Sequence, residues 1–240
     1  KNFTQLFTKI EQTTETNKKV VALVEYFTQV AKTDKLWAIA LLSQQRPKRV
    51  ISTTLLKKWA IEVSQLPLWL FEQSYQLVGD LTETIALILP IETATTNHSL
   101  TYWIQYLKNI ANLGETEKRE KILLAWDNLR KDERIIFNKL ITGGFRMSVT
   151  QKVMVQALAK HTQQAENIIS HRLISGWTPD TVTFEQLILS ESDLDDISKP
   201  YPFHLAHNLE GKPNSLGEPT DWQAERKWDG IRGQIMIRKE

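Results

Sequence analysis

The stretch from Thr16 to Phe27 reads T-N-K-K-V-V-A-L-V-E-Y-F, and its pattern decides the fold class. Apolar side chains recur in it at the spacing that places them on one face of an α-helix. The members of this face are Val20, Val21, Leu23, Val24 and Phe27. Thr16 stands before them, where a hydroxyl group can cap a helix. The stretch therefore predicts a helix that begins after Thr16 and packs one face against a core.

The same periodicity continues along the chain as far as Thr178. A second helix is predicted from Leu36 onwards, with Thr33 or Asp34 as its cap. A third carries Leu55, Leu56, Trp59 and Val63. Pro67 opens a fourth, because proline suits the first turn of a helix. Its predicted apolar face comprises Leu70, Phe71, Tyr75, Leu77 and Val78.

Further helices are predicted over residues 80–89, 99–112, 116–129, 132–141, 149–161, 165–174 and 181–188. Five tryptophans lie on helical stripes and are predicted to pack in the core: Trp37, Trp59, Trp69, Trp103 and Trp126. No fixed-period repeat is present. The sequence thus predicts a mainly α fold, with an all-helical domain over residues 1–190.

Composition narrows the possible functions only slightly. With 41% hydrophobic and 24% charged residues the chain has the composition of an ordinary soluble globular protein, and its net charge of +2 favours no partner. The absence of cysteine excludes disulfides, thiolate metal sites and a cysteine nucleophile. The apolar runs are too short to span a bilayer, and the start does not resemble a signal peptide. We therefore expect a monomeric cytoplasmic protein without a membrane segment.

The amino-acid composition changes between residues 191 and 220. An acidic patch comes first, made of Glu191, Asp193, Asp195 and Asp196. Four prolines and two glycines follow: Pro200, Pro202, Gly211, Pro213, Gly217 and Pro219. Such a density of proline and glycine is typical of an extended connection between domains. We interpret residues 191–220 as a linker that leads into a second domain.

Residues 221–240 show the alternation of β-strands. Residues 223–228 can form a strand, Asp229 and Gly230 form a turn pair, and apolar side chains alternate with polar ones over 231–237. A lone hairpin is marginal in water. We therefore predict that residues 221–240 are the first β-hairpin of a truncated second domain.

The predicted hairpin places charged side chains near Lys227, which could react as a nucleophile. Asp229 follows on the same side of an extended chain, and Gly230 permits a positive φ and the close approach of a ligand. Arg232 begins the return strand, from which a guanidinium can bind phosphate or ribose oxygens. A neighbouring cation would lower the lysine pKa and free the amine for nucleophilic attack. K-x-D-G alone would indicate only a charged surface hairpin, but Glu225 and Arg232 make the pattern more specific.

The full pattern, E-x-K-x-D-G-x-R over residues 225–232, resembles the first signature motif of the covalent nucleotidyltransferases, which are DNA ligases, RNA ligases and capping enzymes. Gly233-Gln234-Ile235 looks like ATP-dependent DNA ligases in particular. The resemblance implies that Lys227 attacks the α-phosphate of ATP to form lysyl-AMP. It assigns adenine recognition to Glu225, ribose and phosphate contacts to Arg232, and the turn to Asp229 and Gly230. ATP and Mg²⁺ are the implied cofactors, with the metal ligands beyond residue 240.

The helical part resembles the same family. Residues 77–84 are similar to the glycine-aspartate helix start in the DNA-binding domain of these ligases, and residues 140–149 to that domain's second conserved segment. Pro202-Phe203-His204-Leu205-Ala206 is similar to the beginning of the adenylating domain. The match is closest to bacterial enzymes with a helical domain before an α+β nucleotidyltransferase domain. Gly79 and Asp80 can equally be a helix C-cap and the next N-cap, and both interpretations can hold.

Two basic runs support a DNA role. Residues 43–61 and residues 134–165 each contain five basic residues and no acidic one. Glycine- or proline-marked turns lead from them into helices, whose N-termini suit a phosphate oxygen. The predicted DNA contacts are Arg46, Lys48, Arg49, Gly79, Lys139, Thr142, Gly143, Gly144, Arg146 and Ser148. Contacts of this kind position a protein on DNA without reading sequence. The ordinary alternative is two solvated helix faces.

These observations favour an ATP-dependent DNA ligase that seals nicks in duplex DNA during repair, replication or recombination, independently of sequence. An RNA ligase or a capping enzyme shares the lysine motif but has no need of so large a helical DNA-binding domain. A non-catalytic DNA-binding module that ends in a remnant hairpin is the other alternative.

Overall fold

The computed structural model describes residues 1–43, 45, 48–91, 96–145, 149–174, 176–190, 217–223, 225, 226, 230 and 233. The first six helices are α1 (Asn2–Glu11), α2 (Thr16–Gln29), α3 (Lys32–Leu42), α4 (Thr53–Ser64), α5 (Leu68–Val78) and α6 (Leu81–Ile88). The next five are α7 (Leu100–Ile110), α8 (Glu115–Asn128), α9 (Lys131–Thr142), α10 (Gln151–Thr162) and α11 (Glu166–Ile174). A π-helical turn (Glu185–Leu189) and a 3₁₀ turn (Pro219–Asp221) complete the elements.

The predicted mainly α fold is confirmed. Within the described ranges every regular element is helical, and none of these residues lies in a β-strand. Residues 191–216 of the predicted linker and most of the predicted hairpin lie outside the described residues. The domain boundaries and the hairpin therefore stay predictions.

One extended core joins the helices. Helix α2 packs on α1 and on α10, α10 packs on α11, and α6 packs on α9. The largest fully buried side chains come from helices α2, α4, α5, α8 and α9 and from the segment after α9, and they include Phe27, Trp59, Phe71, Trp126, Phe137 and Phe145. Each contributes the apolar stripe that its sequence periodicity indicates. The core is thus formed by regions far apart in sequence, and it fixes the ends of α5, α6 and α9 relative to one another.

Several predicted helix starts differ from the structure. Thr16 is the first residue of α2, and Glu15 is its N-cap. Helix α3 begins at Lys32, so Asp34 lies inside it rather than at its cap. The Asp34 carboxylate instead accepts hydrogen bonds from the backbone N–H groups of Leu100 (3.3 Å) and Thr101 (2.8 Å). It therefore caps α7, because the free N–H groups at that helix start lie within its reach.

The predicted core position of Trp69 is wrong. Its side chain is 63% exposed, and Leu77 on the same helix is 89% exposed, whereas Phe71 is fully buried. Helix α5 packs mainly on α6, and apart from Phe71 its side chains are exposed or only partly buried. Trp37, Trp59 and Trp126 are buried as predicted, and Trp103 is half-buried against the core. The helix predicted over residues 181–188 appears as the π-helical turn.

Candidate functional site

The first part of the site is the junction between α5 and α6. Helix α5 ends at Gly79, which has a φ of 76° and donates its N–H to the Tyr75 carbonyl over 2.9 Å. Asp80 then caps α6 by accepting hydrogen bonds from the N–H groups of Thr82 (2.8 Å) and Glu83 (3.0 Å). The expected helix C-cap and following N-cap are confirmed. A positive φ requires glycine here, since other residues rarely adopt it.

The second part is the turn at the end of α9. Gly143 has a φ of 68°, and the N–H groups of both Gly143 and Gly144 point to the Lys139 carbonyl. The Thr142 hydroxyl donates to the Asn138 carbonyl over 2.9 Å. In the part of the chain that the structure describes, a Cβ added at Gly79 or Gly143 would meet no protein atom within 4 Å. Both glycine turns therefore leave open space where a ligand could approach the backbone closely.

A direct ion pair joins the two turns. The Lys139 Nζ atom lies 2.7 Å from the Asp80 Oδ2 atom. Next to it, the Asn138 side-chain amide donates to the Thr82 carbonyl over 3.3 Å. The structure thus brings together the two segments that sequence comparison singled out, which are some 60 residues apart along the chain.

The charge of Asp80 is strongly favoured in the folded protein. Burial raises the pKa of this carboxyl group, but hydrogen bonds from Lys139 and Thr82 outweigh it and hold the pKa at about 2. The pKa of the neighbouring Glu11 carboxyl group is raised as well, because the effect of its burial outweighs the opposing charge of Lys139. The Lys139 side chain is mostly buried, and its Nζ atom lies 5.7 Å from the centre of the Phe7 ring. In this structure the ammonium group of Lys139 is therefore held by Asp80.

A chain of buried polar contacts continues from this pair into the core. The Trp126 indole N–H donates to the Asn138 side-chain oxygen over 2.9 Å. The Arg134 guanidinium donates to the carbonyls of Trp126 (2.7 Å) and Pro90 (2.6 Å). Because these groups satisfy one another, α6, α8 and α9 are tied together at defined positions.

The two basic runs therefore separate into internal and external residues. Arg134 and Lys139 are buried, and Lys57 forms an ion pair with Glu72. The exposed basic residues that the structure describes in these runs are Lys48, Arg49, Lys58, Lys152 and Lys160. A count of charges along the sequence could not have found this division, because it depends on which helix face meets a neighbour.

The segment between α3 and α4, residues 43–52, contains the predicted DNA contacts Arg46, Lys48 and Arg49; this basic loop is described only in part. Lys48 and Arg49 are exposed in the segment before α4, while Arg46 lies outside the described residues. Lys48 and Leu140 of α9 line one cavity of about 430 Å³. The basic loop thus lies beside the helix that carries the second glycine turn. Arg146 and Ser148, which follow that turn, are also outside the described residues.

Little of the lysine motif is described. Glu225 is exposed and accepts a hydrogen bond from the Gln223 side chain over 2.6 Å, and Gly230 is also exposed. Lys227, Asp229 and Arg232 lie outside the described residues, so their predicted roles stay predictions. Across the described ranges no cluster of three or more histidine and acidic side chains could hold a metal ion. Nor does any helix in that part of the chain combine the length and apolarity needed to cross a membrane.

Comparison with known proteins agrees with the resemblance of the helical part. A search of curated proteins gave no significant match. A family model described as DNA ligase N terminus matches residues 1–159, which is more than half of the chain and includes both glycine turns and the basic loop. The chain therefore belongs to the DNA ligase N-terminus family.

Proposed function

We propose that this chain is the front part of an ATP-dependent DNA ligase, and that its helical domain holds the backbone of nicked duplex DNA. The observation that carries the proposal is the 2.7 Å ion pair that joins the Gly79 and Gly143–Gly144 turns within the segment matching the ligase family. Two open glycine turns and an exposed basic loop beside α9 suit a sugar-phosphate backbone.

Binding through these groups needs no base contacts. The Lys48 and Arg49 side chains attract phosphates and release counterions, which makes affinity dependent on salt. The glycine turns permit close approach of the DNA backbone without side-chain bulk. Such contacts fix position and orientation on the duplex but carry no sequence information. A nick sealer requires this behaviour, since nicks occur in any sequence.

The chemistry of the proposal belongs to the motif around Lys227. The lysine amine attacks the α-phosphate of ATP, a P–N bond forms, and pyrophosphate leaves with the electrons of the broken P–O bond. The AMP then passes to the 5′-phosphate at the nick, and the 3′-hydroxyl displaces AMP to seal the strand. Glu225 recognises adenine, Arg232 holds the ribose and phosphate side, and Asp229 and Gly230 shape the turn. Mg²⁺ would neutralise phosphate charge in each transfer.

Binding by the 240-residue chain tests the first half of the proposal. Fluorescence anisotropy with labelled nicked DNA of two unrelated sequences should give equal affinities that fall steeply between 50 and 200 mM salt. Lys48→Met and Arg49→Met should each reduce the slope of log K against log salt by about 0.9. Salt-independent binding, or no binding at low salt, would contradict the proposal.

Self-adenylation tests the second half in the longer natural protein. Labelled ATP should become covalently attached to the wild-type protein and not to Lys227→Ala, while the DNA affinity of that variant stays unchanged. A Lys227→Ala protein that still gains label would exclude this lysine as the nucleophile. Sealing of nicked DNA, nicked RNA and free RNA ends separates a DNA ligase from an RNA ligase or a capping enzyme. A protein that binds DNA and never gains AMP would instead be a non-catalytic module.

A further inference from the structure

We infer that Asp80 and Lys139 are positioning residues that set the distance between the two glycine turns, and that Lys139 acts on DNA binding through Asp80 rather than by touching phosphate. The inference rests on the proposed DNA-binding function. It also assigns a role to Asp80, an acidic residue at the proposed DNA-binding surface.

The geometry of the pair supports this role. Asp80 is both the N-cap of α6 and the partner of Lys139, so its carboxylate accepts hydrogen bonds from two backbone N–H groups, the Thr82 hydroxyl and one ammonium group. Lys139 lies in the last turn of α9, and its own carbonyl accepts the N–H groups of Gly143 and Gly144. The side chain of Lys139 therefore anchors one turn while its backbone shapes the other. A change in this pair would alter the separation of the turns directly.

The surroundings of Lys139 argue against a direct phosphate contact. Its side chain is only 11% exposed, and its ammonium group lies between the Asp80 carboxylate and the Phe7 ring. To reach a phosphate, the group would have to leave a partially buried ion pair and strand the Asp80 charge, which is costly. Lys48 and Arg49 are exposed, so they can meet phosphate without breaking an internal contact.

A second connection fixes the same spacing. The Asn138 side chain links Thr82 of α6 to Trp126 of α8, and its backbone carbonyl accepts the Thr142 hydroxyl just before Gly143. Each glycine turn is thus held by two neighbouring residues of α9, one charged and one neutral. This arrangement keeps the fold intact when the ion pair alone is weakened, so loss of positioning can be measured in a folded protein.

The two roles of Lys139 predict opposite effects of Asp80→Asn. Asparagine can still cap α6, so the helix start is preserved. If the pair positions the turns, Asp80→Asn and Lys139→Met each weaken binding to a labelled nicked duplex by about tenfold. The double variant is then hardly weaker than either single variant, because both remove the same interaction. If Lys139 contacts phosphate instead, Asp80→Asn releases its ammonium group and binding becomes tighter.

The salt dependence gives an independent measurement. A positioning residue neutralises no phosphate, so Lys139→Met should leave the slope of log K against log salt at the wild-type value. If Lys139 contacted a phosphate directly, its loss would make that slope less steep by about 0.9. Lys9→Met is the control for the loss of a lysine in an ion pair, since Lys9 pairs with the Glu25 carboxylate at 2.6 Å in an exposed position that touches neither glycine turn. It should change neither the affinity nor the slope.

The experiment uses the 240-residue chain, with thermal unfolding measured for every variant so that all are compared fully folded. Weaker binding by Asp80→Asn with an unchanged slope for Lys139→Met supports the inference. Unchanged or tighter binding by Asp80→Asn overturns it, and so does a lowered slope for Lys139→Met. If wild-type protein does not bind duplex DNA, the proposed function fails. If Lys48→Met lowers the slope as expected while Asp80→Asn has no effect, only the present inference fails.

Discussion

Helices α5 and α6 follow one another across Gly79, yet they differ sharply in how they are held. Helix α6 buries Thr82, Thr84, Ile85 and Ala86, and it is fastened to α9 by an ion pair and a buried amide. Helix α5 is longer and buries only Phe71, while Trp69 and Leu77 face outwards. Both segments are apolar in sequence. The difference lies in the neighbours, because α4 and α9 both pack on α6, whereas the side chains of α5 other than Phe71 are exposed or only partly buried.

An apolar helical stripe does not by itself identify the buried side of a helix. Burial requires a second surface, and only the tertiary arrangement supplies one. Buried polar groups, in contrast, have defined partners where two helices meet. Along α6 and α9 they are buried and mutually satisfied, so each has a defined partner, and removal of one leaves another unsatisfied.

The largest expected effect is on Phe71, the one fully buried side chain of α5. Phe71→Ala should destabilise the protein by about 3–5 kcal/mol, because it opens a cavity at a fully buried position. Chemical denaturation of the 240-residue chain measures this change. Phe71→Leu is the control and should lose less, since it retains most of the volume. A loss below about 1 kcal/mol for Phe71→Ala would mean that α5 is not anchored through this ring.

The next effect concerns the amide that fastens α6 to α8 and α9. Asn138→Ala should cost about 2–4 kcal/mol, because it leaves the Trp126 indole N–H and the Thr82 carbonyl buried without this partner. Asn128→Ala removes a hydrogen bond between the same side-chain type and the Leu124 carbonyl at an exposed place, and it should cost less than about 1 kcal/mol. Equal losses of stability in the two variants would show that the buried hydrogen bonds of Asn138 stabilise the protein no more than the exposed one of Asn128.

The ion pair between α6 and α9 should make stability depend on acid. The folded pKa of Asp80, about 2, lies below its ordinary value of 3.8, so its contribution is complete above pH 3.8 and is lost as pH falls through 2. The shift corresponds to about 2.5 kcal/mol, and partial exposure and screening reduce this to about 1 kcal/mol. Urea unfolding at pH 5 and pH 2 should show wild type losing this much more stability than Asp80→Asn. Identical acid sensitivity of the two proteins would contradict it.

The smallest effect is expected on the outer face of α5. Trp69→Gln and Leu77→Gln should each change the free energy of unfolding by no more than about 0.5 kcal/mol, because both side chains are exposed. Their thermal midpoints should match that of wild type. A loss of more than about 1.5 kcal/mol would mean that this face is covered in solution, and the contrast with α6 would then disappear.

Most of the fold was predictable from local patterns. Helical periodicity, the Gly79–Asp80 junction and the glycine turn after α9 all depend on residues within a few positions of one another. The family resemblance of the helical part was also carried by short segments, and the family match confirms it. Helix starts were less accurate, since Glu15 and Ala31, rather than the predicted side-chain caps, precede α2 and α3.

The site was predictable only in outline. Gly79, Gly143 and Gly144 were identified as turns, but Lys139 was grouped with exposed basic residues because a charge run does not show which members are buried. Asp80 was recognised only as a helix cap, and its pairing with Lys139 crosses 59 positions of sequence. Such a contact is a property of helix packing and leaves no local signal.

Sequence alone was enough to predict the helical class, the glycine turns, the ligase family and a nucleophile at Lys227. Each of these depends on residue type and short-range spacing. Only the tertiary structure decided that Asp34 caps α7, that Trp69 is exposed, and that Asp80 and Lys139 join two distant turns. The reason is that a charged or apolar side chain takes its role from the groups that surround it, and folding brings those groups from remote parts of the chain.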